Sequence, residues 1–276
     1  STCSCPCASG LDPRLAVIRH LFAIAALLVV AAGQVAASSG IKITDAEADR
    51  IGQKIWRNEC AGTRDGLTAW NKGENFPSLG IGHFIWYPQG QRGPFKESFP
   101  ALKDYLQAQG VKLPGWLASA KACPWPDRAA FMADFRSPRL EELRAILAST
   151  VGPQARFAAL RLESALPQML AAAPASDREK IRRNFYRVAN APGGLYPLMD
   201  YVNFKGEGTS PTERYQGEGW GLLQVLAGMS DTGSPTAAFS KSADRVLTRR
   251  VELSPPARGE KRWLPGWRNR LATYVP

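Results

Sequence analysis

The run at residues 79–87, LGIGHFIWY, is the one stretch that breaks an otherwise helical periodicity, and it limits the fold more than any other segment. It mixes aromatic and branched residues with Gly80 and Gly82 and stops at Pro88, so it predicts a strand with a bulged or close-approach start. Helical patterns lie on both sides. Before it, Thr44 three residues ahead of Glu47 forms a capping box, and Ala48, Ile51, Ile55 and Trp56 share a face until Gly62 ends the helix. After it, residues 89–94 read as a loop. Leu102, Tyr105 and Leu106 mark a helix closed by Gly110, residues 126–135 mark another, and Pro138 opens a third carrying Leu140, Leu143, Ile146 and Leu147. Residues 154–173 are Ala/Leu-rich with Pro167 inside, which should kink or divide a helix there. Ser176 with Glu179 forms a second capping box ahead of a helix at 181–189, and 190–194 is a break. Short connections and the absence of repeats predict one domain over residues 38–276, α+β but predominantly α, with room for a sizeable core.

Residues 1–37 read as a leader. Arg14 and Arg19, an apolar run at 21–32 and then Val35, Ala36 and Ala37 follow the order of a secretory signal peptide over about residues 14–37, with cleavage expected after Ala37. The run is too short for a bilayer-spanning helix, so the expected location is periplasmic or secreted, without stable membrane insertion after cleavage. Cys3, Cys5 and Cys7 have no partner histidine and poor zinc spacing, and no metal or cofactor is expected. Losing Arg14, Arg19 and Asp12 with the leader lowers the formal charge of +11 by one, which leaves a basic protein suited to an anionic polymer such as bacterial cell wall. Nucleic acid is also anionic, but the cations are dispersed along the chain without a basic run, as on an ordinary solvated surface, and no nucleic-acid partner is expected. Oligomeric state is not legible. In an oxidising compartment Cys60 and Cys123 are expected to form a disulfide, with two buried thiols as the alternative.

With His20 in the leader, His83 is the one histidine of residues 38–276, which excludes multi-histidine metal sites. No G-x-S-x-G elbow accompanies it, so a serine triad is not supported; a Cys-His dyad with Cys60 or Cys123 stays as an alternative. His83 itself reads as a buried support. Carboxylate chemistry survives. Glu59, at a helix end under aromatic cover, is placed where desolvation favours a protonated carboxyl that donates a proton, against the plain reading of a solvated last-turn glutamate. Residues 201–219 read as a polar glycine-rich loop with Tyr201, Asn203, Glu207, Glu213 and Glu218. An apolar segment containing Gln224 follows, in which Gln224 is either a cleft residue or a core amide. In the tail, Trp263 and Trp267 alternate with arginines and lysines, a pattern for stacking on sugars or bases, or for packing the last helix.

Glu59, a polar turn and then Ser78-Leu79-Gly80-Ile81-Gly82-His83 resemble the amino-terminal lobe of phage-type lysozymes, where a catalytic glutamate precedes a small hairpin with a T-x-G-x-G-H signature. Glu59-Cys60-Ala61-Gly62 resembles the glutamate segment of goose-type lysozymes, and GWGLLQV at 219–225 is similar to the G-x-G-L-M-Q-V run of goose-type lysozymes and lytic transglycosylases. The resemblance covers a minority of the chain, and a long, mostly helical insertion separates the glutamate from the glutamine run. It implies a lysozyme-like fold with a small β-hairpin or sheet and a helical lobe, acting on peptidoglycan with Glu59 as general acid. For a second carboxylate, the phage-type aspartate falls on Asn71 and Lys72, so Glu74 is the best-placed substitute, while Asp65 and Glu207 stay open. Ser78 matches the hydroxyl position that holds the water, and His83, Tyr201, Asn203, Glu207 and Gln224 are expected to bind substrate. Lytic transglycosylases work with one glutamate, so hydrolase and transglycosylase both stand, beside a non-catalytic glycan-binding module or adaptor. Chitosan is a poor match for a cationic protein.

Overall fold

Helix α1 (Asp45–Cys60) starts where its cap predicts, with the Thr44 hydroxyl accepting from the Glu47 N–H at 3.2 Å. It buries Ala48, Ile51 and Ile55, and it ends as Ala61 enters the left-handed region at φ 52° and Gly62 follows at φ 66°. The computed structural model describes residues 40–93, 95–211 and 213–276; the expected leader, with Cys3, Cys5, Cys7 and the cleavage after Ala37, lies outside them.

The strand expected over 79–87 is instead half of a small sheet and a reversal. Strands β1 (Thr68–Ala69), β2 (Ser78–Leu79) and β3 (Phe84–Ile85) pair antiparallel in that order, with Leu79 opposite both Thr68 and Phe84. The chain turns between β2 and β3 because Gly80 at φ 71° and His83 at φ 47° both take left-handed conformations. Gly80 is also a close approach. A Cβ there would sit 2.3 Å from Gln154 Oε1, which accepts from the Ile81 N–H at 3.0 Å. The alternation of aromatic and glycine residues signalled extended backbone but not this reversal.

The rest is helical: α2 (Phe99–Ala108), α3 (Gly115–Ser119), α4 (Arg128–Ala133), α5 (Pro138–Ser149), α6 (Val151–Ala172), α7 (Arg178–Ala189) and α8 (Leu195–Lys205). A second hairpin of β4 (Arg214–Tyr215) and β5 (Glu218–Gly219) then precedes α9 (Leu222–Gly228), α10 (Pro235–Leu253) and α11 (Leu264–Ala272). Pro167 does not divide α6. It removes one helix N–H, but Leu162, Leu166, Met169 and Leu170 are buried around it and hold both halves in one helix. Ser176 does not cap α7 either: it lies in a 3-10 turn, its hydroxyl bonds the Asp177 carboxylate at 3.2 Å, and Asp177 takes the cap position without a side-chain bond. Tyr201 and Asn203, expected in a loop, belong to α8, because the apolar run before them buries Leu195, Tyr196, Leu198 and Met199.

The architecture is thus mostly helical with a small antiparallel sheet. Helices α1 and α6 lie together at its centre, close enough that a Cβ on Gly52 would meet Val151 at 2.6 Å. On one side, the sheet and α2–α5 enclose Trp70, Trp86, Phe99, Trp125 and Phe131; on the other, α7–α11 enclose Phe185, Tyr201, Phe239 and Tyr274, and all belong to one continuous core. Among the described residues no helix is long and apolar enough to cross a membrane.

Two buried charges lock its edges. Arg144 of α5 is fully buried and donates to Thr68 Oγ1 at 2.8 Å, the Phe135 carbonyl at 2.8 Å and Glu141 at 2.7 Å, which ties α5 to the sheet. Glu260, in the turn before α11, accepts from Arg250 at 2.8 and 3.0 Å, Arg258 at 3.1 Å and the Tyr215 hydroxyl at 2.8 Å. Burial pushes the Glu260 carboxyl up, but its bonds from Arg250 and Tyr215 and the nearby arginine charges outweigh that and hold it at about 2, below its ordinary 4.5. A depressed carboxyl stabilises the fold above pH 4.5, and that contribution is lost as pH falls towards 2. Glu260→Gln is therefore expected to cost about 2–3 kcal/mol in urea unfolding at neutral pH, by breaking the charge-assisted bonds of a buried carboxylate to Arg250, whose side chain is 12 % exposed. It should also flatten the loss of stability between pH 4.5 and 2.

Candidate active site

The last turn of α1 carries Glu59 to the point where the β2–β3 turn, α8 and α11 meet. Its side chain is 18 % exposed. Arg270 of α11 donates to Glu59 Oε1, and the same guanidinium donates to both oxygens of Asp200, at 2.7 Å from Nε and 2.8 Å from Nη2. Asp200, fully buried on α8, accepts a third bond from the Tyr274 hydroxyl at 2.6 Å. Burial works against a charged Arg270, but its bonds to Asp200 and Glu59 more than offset this and raise it above an arginine's ordinary value. Phe204 lies under the guanidinium, 4.5 Å from ring centre to Cζ.

Glu59 Oε2 has a different neighbour. His83 Nε2 stands 3.7 Å away, too far for a hydrogen bond, and this buried nitrogen has no hydrogen-bond partner among the described residues. The left-handed backbone of His83 brings the ring to this position. Beside it, Asn58 Nδ2 donates to the Tyr196 hydroxyl at 2.7 Å, and Lys54 Nζ donates to the Thr273 carbonyl at 2.8 Å, so α1 is braced against α8 and the α11 end. The structure therefore brings Glu59 and His83 together, although the His83 side chain, expected to be buried, is 37 % exposed, and it adds Arg270, Asp200 and Tyr274. Asp200 had a readable signal: a lone acid within LYPLMDY, on a helix otherwise buried, requires a cationic or hydrogen-bonding partner. Nothing in the sequence named Arg270 among the tail's many cations.

The other expected residues are distributed differently. Glu74 closes the β1–β2 connection, with its carboxylate accepting from Asn71 at 3.2 Å and its carbonyl from Trp70 Nε1 at 2.8 Å, and no contact joins it to Glu59. Ser78 is buried in the central strand, its backbone paired with Ala69 and Ile85. Asp65 is held by Arg136 at 2.8 Å. Tyr201 cannot meet a substrate: it is fully buried and donates to the Trp220 carbonyl at 2.8 Å, while Asn203 is exposed on α8. Gln224 caps α9, accepting from the Gly221 N–H at 2.9 Å and donating to the Gly208 carbonyl at 3.1 Å, so both ends of its amide serve to pin the glycine loop. Glu207 stands half-buried in that loop. Burial raises its carboxyl; Arg161 and Lys96 oppose this, and Glu213 adds to it. Arg161 in turn reaches towards Phe84 of the hairpin, at 5.9 Å.

The expected disulfide is not formed. Cys60 Sγ faces the Gly80 carbonyl at 3.9 Å and Cys123 Sγ the Trp125 carbonyl at 3.6 Å, and both thiols are free. Cys123 is bridged to Pro88 and donates its N–H to the Tyr87 carbonyl at 3.0 Å, so the two sulfurs lie at opposite ends of residues 80–88. Burial pushes both thiols up to about 12, with Glu59 adding to the effect on Cys60, which removes the thiolate that a Cys-His dyad needs. Among the described residues no three His, Cys, Asp or Glu side chains gather as a metal-ligating group. No protein-family model, curated protein or solved structure matches the chain.

Free, buried and protonated thiols predict slow reaction of the folded 38–276 chain with a disulfide reagent at pH 8, followed by two equivalents on unfolding without reductant. Absorbance of the released thiolate measures both stages.

Proposed function

We propose that this chain is a peptidoglycan-cleaving glycosidase of lysozyme-like fold, secreted or periplasmic, with Glu59 as its general acid. The observation that carries the reading is the asymmetric hold on Glu59: Arg270 fixes Oε1, and among the described residues no hydrogen bond reaches Oε2 beside His83. A general acid needs one oxygen oriented by the protein and the other free to meet the leaving group. Two carboxylates, Glu59 and Asp200, share one guanidinium. His83, a positioning residue in this scheme, shields Oε2 from the hairpin side. The resemblance of the Glu59 to His83 stretch to phage-type lysozymes supports the same assignment.

Among the described residues the carboxylate tied to Glu59 is Asp200, which is buried and bonded to Arg270 and Tyr274. This favours a mechanism needing one free carboxyl: closure of an intramolecular anhydro ring by the sugar's own hydroxyl, as in lytic transglycosylases. Glu207, the half-buried carboxyl on the glycine loop, is the group that would position water in a hydrolase. A second reading, a non-catalytic glycan-binding protein, rests on the Arg270 bond itself, since a carboxylate bonded to a guanidinium donates no proton until it takes one up.

Digestion of purified peptidoglycan with mass spectrometry of the soluble products separates these readings. Glu59→Gln should keep the fold and lower muropeptide release by about 10²–10⁴-fold, the usual contribution of a general acid. Anhydro ends identify a transglycosylase and reducing ends a hydrolase. Full activity in Glu59→Gln overturns the assignment, and a wild-type protein retained on peptidoglycan without soluble product supports binding alone.

A further inference from the structure

Where the end of α8 meets α10 and α11, three arginines bond carboxylates and a lysine beside them does not. Arg250 and Arg258 are bonded to Glu260, and Arg270 to Asp200 and Glu59. Lys205, in the last turn of α8, has no hydrogen-bond acceptor and no ion pair among the described residues. Its Nζ instead lies 3.9 Å from the ring centre of Phe204 and 3.6 Å from that of Trp267. Two aromatic faces hold an ammonium but leave its N–H donors unused. Trp263 stands next in line, 6.1 Å from Trp267 and 39 % exposed. Lys205 is half-buried, not enclosed.

We propose that Lys205 anchors a second ligand subsite that takes the carboxylate of an acidic saccharide, with exposed Trp263 stacking on the sugar ring. The ligand class rests on the glycan-cleaving reading above, whereas the demand for an anion comes from the cluster itself. Phe204 connects the two places, since it touches both Arg270, which holds Glu59, and Lys205. A chain of sugars cleaved at Glu59 would lay a neighbouring unit here. Polynucleotide is the weaker fit, because phosphate backbones are bound by several cations at once and Arg250, Arg258 and Arg270 beside Lys205 are already bonded to carboxylates.

Electrostatics around Lys205 sharpen the expectation. Burial, Arg250 and Arg270 disfavour its charged form, Glu260 favours it, and the balance lowers the amine to about 7. The groups facing it are Arg250 from α10, Arg270 from α11 and Glu260 from the preceding turn. Glu260, held at about 2, stays ionised, and Lys205 is the group of this cluster brought to about 7. A carboxylate binds the ammonium and not the neutral amine. Affinity is therefore full below pH 7 and falls as pH rises above it.

The test uses the whole 38–276 chain carrying Glu59→Gln, which keeps ligands intact, and calorimetric titration with two probes: oligomers of N-acetylglucosamine and the same oligomers carboxymethylated. At pH 6 the carboxymethylated probe should bind about tenfold more tightly, the worth of one charge-assisted hydrogen bond. That preference should vanish at pH 9. Lys205→Met should abolish it at pH 6 while leaving the uncharged probe's affinity and the melting temperature no lower, and Trp263→Ala should weaken both probes equally. No charge preference in the parent, a preference that survives Lys205→Met, or tighter Lys205-dependent binding of poly(dT) overturns the subsite. Cleavage of peptidoglycan by Glu59→Gln would sink the proposed catalysis and leave this preference standing; loss of the preference with cleavage still dependent on Glu59 would sink the subsite alone.

Discussion

The contact on which the site depends most is the buried pair of Asp200 and Arg270. A carboxylate with no exposed surface in the middle of α8 is strongly unfavourable unless its charge is met, and here three hydrogen bonds meet it, two from Arg270 and one from Tyr274. The partners come from α11 and the residues just after it, so satisfying Asp200 fixes the carboxy-terminal end of the chain against α8. The remaining donor capacity of Arg270 then reaches Glu59, more than two hundred residues earlier. Glu59 is thus oriented by an ion pair whose geometry is set for a different reason, the burial of Asp200. Removing Asp200 would free Arg270 to bind Glu59 alone and change the charge of the trio.

Glycines set the other wall. The β2–β3 turn comes near α6 because Gly80 has no Cβ to collide with the Gln154 amide, and that amide bonds the Ile81 N–H and braces the turn. His83 follows at positive φ, a conformation that a non-glycine residue keeps only where its surroundings enforce it. The resulting ring position leaves Nε2 buried and unbonded beside Glu59 Oε2. Strain and an unsatisfied polar atom coincide on one residue, a pairing more often found at a functional wall than in an inert core. Gln224 does for the glycine loop what Gln154 does for the hairpin, holding Gly208 at φ 83° through its carbonyl.

Local signals carried the sequence reading well and long-range ones poorly. The Thr44 cap, the Gly62 stop, the Pro138 start and the aromatic run were all visible because each depends on a few neighbouring residues. Pro167 misled because its local cost is outweighed by burial of Leu166, Met169 and Leu170, which no window of sequence displays. The Cys60–Cys123 expectation failed for a related reason: pairing by compartment says nothing about which ends of residues 80–88 the sulfurs face. Glu59 and His83 were found as neighbours through a short motif, whereas Arg270 and Asp200 were hidden by chain separation. Tyr201 was expected to meet substrate and instead bonds backbone, whereas for Gln224 the structure shows the backbone-bonded amide, one of the two readings the sequence left open.

Helix α8 shows how one element serves both places. Residues four apart share a helix face, so Asp200 and Phe204 both meet Arg270, one by charge and one by its ring. Tyr201 and Lys205 share the next face. Tyr201 bonds the Trp220 carbonyl, and Arg250, which lies 4.1 Å over the Trp220 ring, is among the charges that press on Lys205. The two faces therefore differ in how their charges are matched. Along the first, an acid was buried and two chain ends were brought together to satisfy it; along the second, a base was left between two rings with its donors open. A fold that satisfies a buried acid with three bonds had ample means to place a carboxylate beside Lys205. Among the described residues it holds the ammonium against aromatic faces without a hydrogen-bond acceptor, and the proposed subsite rests on that mismatch.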